Sequence, residues 1–523
     1  MKKTNTSTKY VSLILLLLIF TTTISHVAEA QNKKTLAYTL SMPQPENHTF
    51  HVELKASGWS QDTLSLKMPK WMPGYYQIMD YAKSVENISA KDQQGKKLSI
   101  VQSNDNTWKL TGAKNKAFTV SYDIKTKRQF VANSYLDSDH AYVICTNTFF
   151  YIDGFLNTPV SIKVLTNQPK HIIATGLDKV VGKSNEFTAP DFDILYDCPL
   201  LIGELESLPS FKVKGINHQF IAYKMGTFNR DLFNENLEKI VGSAVKIMGD
   251  IPYNEYTFIG IGPGRGGIEH LNNTTVSFDG TGLTTTASMG QVMNFLAHEY
   301  FHHYNVKRIR PFELGPFDYD KGSRSNLLWI SEGLTVYYEY LVVKRAGLMD
   351  EKTLFNNLEH NINAVENNNG RFYQSLSQAS YNTWKDGPFG TQGEEVGKTI
   401  SYYDKGPLVG LLLDFAIRNA SQNTKSLDDV MRLLYWQYYK KQNRGFTDAE
   451  FQTACEQAAG ASLANVFEYI NTTKELDYRK YLAFAGLGIK EEIELNGKRK
   501  LSIARLEKPT PLQEQILKSW LGE

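Results

Sequence analysis

The run His298-Glu299-Tyr300-Phe301-His302 constrains this chain more than any other stretch, because its chemistry works only on a helix. Residues four apart on a helix lie about 40° apart around the axis, so both imidazoles can reach one ion. Glu299 then points to the neighbouring edge, placed to act as a general base without ligating the metal. Residues 290–297 (Gly-Gln-Val-Met-Asn-Phe-Leu-Ala) carry apolar side chains at helical spacing, and the pattern predicts a helix over 290–306. The competing reading is a solvated helical turn that happens to carry charge.

A catalytic zinc site takes three protein ligands and leaves a fourth position open. Residues 329–340 (Trp-Ile-Ser-Glu-Gly-Leu-Thr-Val-Tyr-Tyr-Glu-Tyr) form an aromatic and apolar run interrupted by acid. Buried carboxylates are rare unless paired or metal-bound, so Glu332 is the natural third ligand. Glu339, seven residues on, is the competitor and is expected on an exposed face. His298, His302 and Glu332 are a hydrolytic rather than a cysteine-rich structural set, and predict one Zn2+ per chain.

The first thirty residues read as a targeting segment: Lys2 and Lys3, an apolar run from Val11 to Phe20, then Ala28-Glu29-Ala30 as a cleavage site. The apolar run is short for a stable membrane span, and export to the periplasm or the medium is expected. A formal net charge of +2 and the lack of a basic block argue against nucleic acid as a partner. Three cysteines, Cys145, Cys198 and Cys455, are too few for a disulfide framework, although Cys145 and Cys198 could pair.

Four segments follow from the pattern: a signal peptide over 1–30, a β-rich part over 31–224, a mostly helical part over 225–485 and a tail over 486–523. Period-two alternation at 49–55, 118–124 and 160–165 predicts an antiparallel sandwich or large twisted sheet. Helical spacing appears at 232–248, 326–346 and 400–419, with a strand between at 256–261. The fold class expected is α+β, multidomain. The tail reads as docked.

Residues 260–270 (Gly-Ile-Gly-Pro-Gly-Arg-Gly-Gly-Ile-Glu-His) contain a formal G-x-G-x-x-G, but loop and strand residues follow instead of the helix a dinucleotide site requires. The glycines are better read as a close backbone approach at Gly266 and Gly267 that sets Glu269 beside a substrate, where it would bind a cationic group such as a peptide amino terminus. The bland alternative is an exposed turn acid. Residues 401–406 (Ser-Tyr-Tyr-Asp-Lys-Gly) open a leucine-rich helix, and a tyrosine there could donate to a developing oxyanion. With 29 tyrosines in the chain, composition alone does not single out Tyr403.

Taken together, these stretches resemble the glycyl aminopeptidase family of zinc metallopeptidases, thermolysin-like gluzincins related to aminopeptidase N. The resemblance runs from residues 71–75 (Trp-Met-Pro-Gly-Tyr) to about Gly486, its specific stretches being 266–270, 298–302, 305–311, 329–333 and 403–406 (Tyr-Asp-Lys-Gly). It implies an antiparallel β-rich amino-terminal domain followed by a thermolysin-like catalytic domain. It also implies zinc on His298, His302 and Glu332, Glu299 as base, Glu269 on the substrate amine and Tyr403 on the oxyanion. A preference for glycine or alanine as first residue comes from the resemblance alone. Two departures stand out: 29 residues separate His302 from Glu332, and about forty follow the catalytic part, too few for the PDZ domain such proteins commonly carry. The expectation is an exported zinc aminopeptidase acting on peptides. Its rivals are an endopeptidase on the same site and a peptide- or glycan-binding protein with a vestigial one.

Overall fold

The computed structural model describes residues 34–495 and 497–523, so the proposed signal peptide lies outside the described residues. Among these, eleven strands between Thr35 and Ala189 build one large twisted sheet. Alternation sets its inner face: Phe50, Val52, Leu54 and Ala56 of Thr49–Ser57 stand opposite Ile124, Tyr122, Val120 and Phe118 of Phe118–Lys125, all buried. The sheet is not wholly antiparallel, as the sequence suggested. Thr35–Ser41 pairs parallel with Val160–Leu165, Tyr38 facing Ile162. A parallel pair needs a long crossover, and the whole of 42–159 supplies it, so local alternation could not reveal the pairing.

Residues 205–223, which pattern alone groups with the β-rich part, pair forward into a second sheet. Ile216–Tyr223 lies parallel to Glu255–Gly260, joined by helix α1 (Arg230–Met248), and Glu255–Gly260 lies parallel to Asn273–Val276. Asn229 caps α1 at its start, and Gly249, at φ +85°, ends it. The edge strand of this sheet is Gly267–Glu269, antiparallel to Asn273–Val276.

Helix α2 (Thr286–Phe301) starts from a capping box between Thr285 and Ser288 and ends five residues short of the expected 306, with His302 as its last cap. Helices α3 (Leu334–Arg345), α4 (Glu351–Glu366) and α5 (Tyr402–Ala420) complete the body around α2. The final segment is docked. Its hairpin, Leu487–Ile493 with Arg499–Arg505, bonds α4 through Asn363, which gives its amide to Leu501 O at 2.9 Å and accepts from Leu501 N at 2.8 Å. Helix α6 (Pro511–Leu521) buries Trp520, whose indole donates to the Tyr337 hydroxyl at 2.8 Å. All three cysteines are free and buried; Cys145 and Cys198 are neighbours, the thiol of the first donating to the carbonyl of the second at 3.1 Å. No helix among the described residues is long and apolar enough to cross a membrane.

Candidate metal and substrate site

The site lies between the end of α2 and the sheet edge. His298 and His302 share one face of α2, and each ring is oriented by its Nδ1. His298 Nδ1 donates to Glu339 Oε2 at 2.8 Å, and His302 Nδ1 donates to the Asn305 carbonyl at 2.8 Å. Both acceptors favour a proton on Nδ1, so in the neutral ring each Nε2 is the nitrogen free to ligate a metal. The two Nε2 atoms converge to 2.9 Å.

Glu332 meets them from the other side. Residues Trp329–Gly333 form a π-turn ahead of α3, a wide turn of the kind found at functional sites. Its register is held by Asn305, whose amide donates to Ile330 O at 2.7 Å, so the segment orienting His302 also fixes the turn carrying Glu332. Glu332 Oε2 stands 3.2 Å from His302 Nε2 and 3.7 Å from His298 Nε2. Gly333 packs directly on Gly406 of α5: a Cβ on Gly333 would lie 2.6 Å from the Gly406 Cα. That backbone contact brings the start of α5 down on the site, and Tyr403 donates its hydroxyl to Glu332 Oε2 at 2.8 Å.

Glycines also build the opposite wall. A Cβ on Gly267 would meet the Glu299 carboxyl carbon at 2.4 Å, so the strand lies flat against that side chain. Two residues on, Glu269 is buried, and its Oε1 has no hydrogen-bond partner. Gly74, at φ +92°, covers it from the β-rich part; a Cβ there would lie 2.9 Å from Glu269 Oε2. The cleft in front measures about 480 Å³, and Gly266, Gly267, His298, Glu299 and Tyr403 line it.

Burial pushes the Glu299 carboxyl up to about 7; nearby Glu269 and Glu332 add to the rise and the two histidines oppose it. For Glu332 burial pulls the same way, but His302 and His298 outweigh it and hold the carboxyl well below its usual range. The donors fit a zinc ion. Two imidazole nitrogens and one carboxylate oxygen converge, their ligand atoms all within 4.8 Å of one another.

The chain matches the Peptidase M61 N-terminal domain over residues 37–204 and the M61 glycyl aminopeptidase domain over residues 291–409, together more than half its length. It belongs to the M61 glycyl aminopeptidase family. As a member of that family it is a zinc metallopeptidase of the aminopeptidase class. An aminopeptidase N family protein from Idiomarina loihiensis is similar in structure, with a TM-score of 0.82 at 26% identity over 88% of this chain and 80% of that one. Two structures of an M1 zinc metallopeptidase from Deinococcus radiodurans share the fold at 13% identity. The first has a TM-score of 0.50; the second, a mutant bound to a Tyr-Ser-Ala substrate, 0.51; each match covers 85% of this chain and 95% of that one. No curated protein sequence matches.

In this M61 peptidase Gly266, Gly267, His298, Glu299 and Tyr403 line the cleft, His302 and Glu332 converge with His298 beneath it, and Glu269 is buried against Gly74. Glu339 is not on an exposed face as expected; it is half-buried and holds His298. Its phase carried the signal, since seven residues are nearly two helical turns and put it on the same side as Glu332. Gly74 and Tyr76 were missed. Gly74 lies in the 71–75 stretch that carries the resemblance but has no role assigned there; it meets Glu269 from about two hundred residues away in sequence, and Tyr76 lines the cleft.

Proposed function

We propose that this M61 enzyme removes the first residue from peptides that have a free amino terminus. The carrying observation is Glu269, a buried carboxylate with a partnerless oxygen, directly after Gly266, Gly267 and Ile268, which line the cleft. An ionised group in that position is costly unless a cation completes it, and a peptide ammonium is such a cation. The same strand passes Glu299 two residues earlier, so a substrate held by its amine at Glu269 presents its first peptide bond to the base.

His298, His302 and Glu332 would hold the zinc, with Glu339 and Asn305 fixing the two rings. When bound, the ion supplies Lewis-acid polarisation of the scissile carbonyl and a lowered pKa for water. Glu299, poised near neutrality by burial, accepts a proton from the attacking water and delivers it to the leaving amine. Tyr403 donates its hydroxyl to the carbonyl oxygen as negative charge grows there. The proposed segments remain 1–30, 31–224, 225–485 and 486–523. Export is proposed from the pattern of the first thirty residues, and a glycine or alanine preference from the family resemblance.

Product analysis by mass spectrometry tests this reading on one alanine-initiated peptide, free and N-acetylated. Stepwise loss of first residues from the free form alone is expected. Internal cleavage of both forms would refute an amine-directed exopeptidase.

A further inference from the structure

Helix α2 turns one row of side chains to the cleft: Gln291, Asn294, Phe295 and His298 all line it. Positions seven, four and three residues before His298 share its face of the helix. Asn294 is out of keeping with its neighbours. It lies mid-helix between Met293 and Phe295, where asparagine is a poor helix former. Its Oδ1 is buried without a hydrogen-bond partner, and its amide nitrogen has none among the described residues. A buried polar atom left unpaired costs stability. Leucine would serve both the helix and the packing better, so the amide is accounted for by what enters the cleft.

An asparagine amide donates at one end and accepts at the other, the complement of a peptide group. With the substrate amine at Glu269 and the first carbonyl at Tyr403, the backbone groups of the first residue are already matched. Those left over belong to the chain beyond the cut bond. Asn294 stands four residues from His298, about 6 Å along the helix axis, and an extended chain advances about 3.3–3.6 Å per residue. The amide is therefore level with the chain one or two residues past the cut bond. Gln291, exposed and likewise without a partner among the described residues, continues the row about one residue further.

We infer that Asn294 is a substrate-binding residue that hydrogen-bonds the peptide group following the cut bond, so that the enzyme selects peptides of three or more residues over single-residue amides. The inference rests on the aminopeptidase reading given above and sets the substrate class for it.

The test compares kcat/KM on trialanine with kcat/KM on alanine anilide, which has no peptide group beyond the cut bond, for the wild type, Asn294→Ala and Asn294→Leu. Taking the ratio of the two substrates removes any general effect of the substitution on folding or on the metal site. In both variants the ratio is expected to fall by about 3- to 10-fold for each hydrogen bond lost. A second readout needs no turnover. Trialanine binding to the Glu299→Gln protein, followed by calorimetry, should weaken by a similar factor when Asn294→Leu is added. An unchanged ratio in both variants would overturn the inference. So would an unchanged ratio accompanied by a new preference among Gly-, Ala- and Ser-initiated tripeptides, which would set Asn294 against the first side chain instead. Failure of the wild type to release the first alanine from trialanine would refute the aminopeptidase reading itself.

Discussion

Replacing Glu269 by Gln should separate substrate recognition from the rest of the chemistry. The change is nearly isosteric, so the tight approach of Gly74 to this side chain survives. What is lost is the negative charge that faces the substrate ammonium in a buried position. Removing one partner of a buried, hydrogen-bonded charge pair costs about 2–5 kcal/mol. At 1.36 kcal/mol per decade that is a fall in kcat/KM of about 30- to 5,000-fold, toward the lower end because the amide oxygen still accepts a hydrogen bond. The free enzyme should move the other way. Glu269 is an unsatisfied buried carboxylate among other acids, and relieving it is worth about 1–3 kcal/mol, read as a higher melting temperature. The assay pairs an alanine anilide with its des-amino analogue, which has no ammonium. A large loss on the first with little change on the second is expected. Equal losses on both, or no loss on either, would refute the amine-binding role.

Other substitutions probe the remaining parts. Glu299→Gln should keep one zinc per chain by elemental analysis and lower turnover by ~10²–10⁴-fold, the range for a general acid–base group. Glu339→Gln removes the charged acceptor of the His298 Nδ1 proton and should weaken zinc binding by about 10- to 100-fold in chelator competition. Gly267→Ala sets a methyl group 2.4 Å from the Glu299 carboxyl carbon; kcat should fall with zinc affinity retained, and calorimetry should show a loss of about 1–3 kcal/mol from overpacking.

What could be read from the sequence was what local spacing encodes. The 298–302 pattern sits within one helical turn, so its geometry follows from helix parameters alone. Glu332 stood out because an acid inside an aromatic run needs a partner. The limits of α2 were less legible. Apolar spacing continues past Phe301, but the chain leaves the helix there so that Asn305 can turn back and orient His302. Contacts between distant segments left no local trace: the parallel pairing of Thr35–Ser41 with Val160–Leu165, and the approach of Gly74 to Glu269. The glycine-rich run at 260–267 was legible as a close approach, but what approaches it became evident only once Glu299 lay against Gly267.

In the proposed mechanism Glu269 holds the substrate amine while Glu299 faces the first peptide bond. The most direct test is a crystal structure of the zinc-loaded Glu299→Gln protein with an unprotected tripeptide. The peptide amino nitrogen is expected at about 3 Å from a Glu269 oxygen, within the range of a charge-assisted hydrogen bond, with the first carbonyl toward Tyr403. A peptide running through the cleft with its amine in solvent and an internal bond beside residue 299 would contradict it.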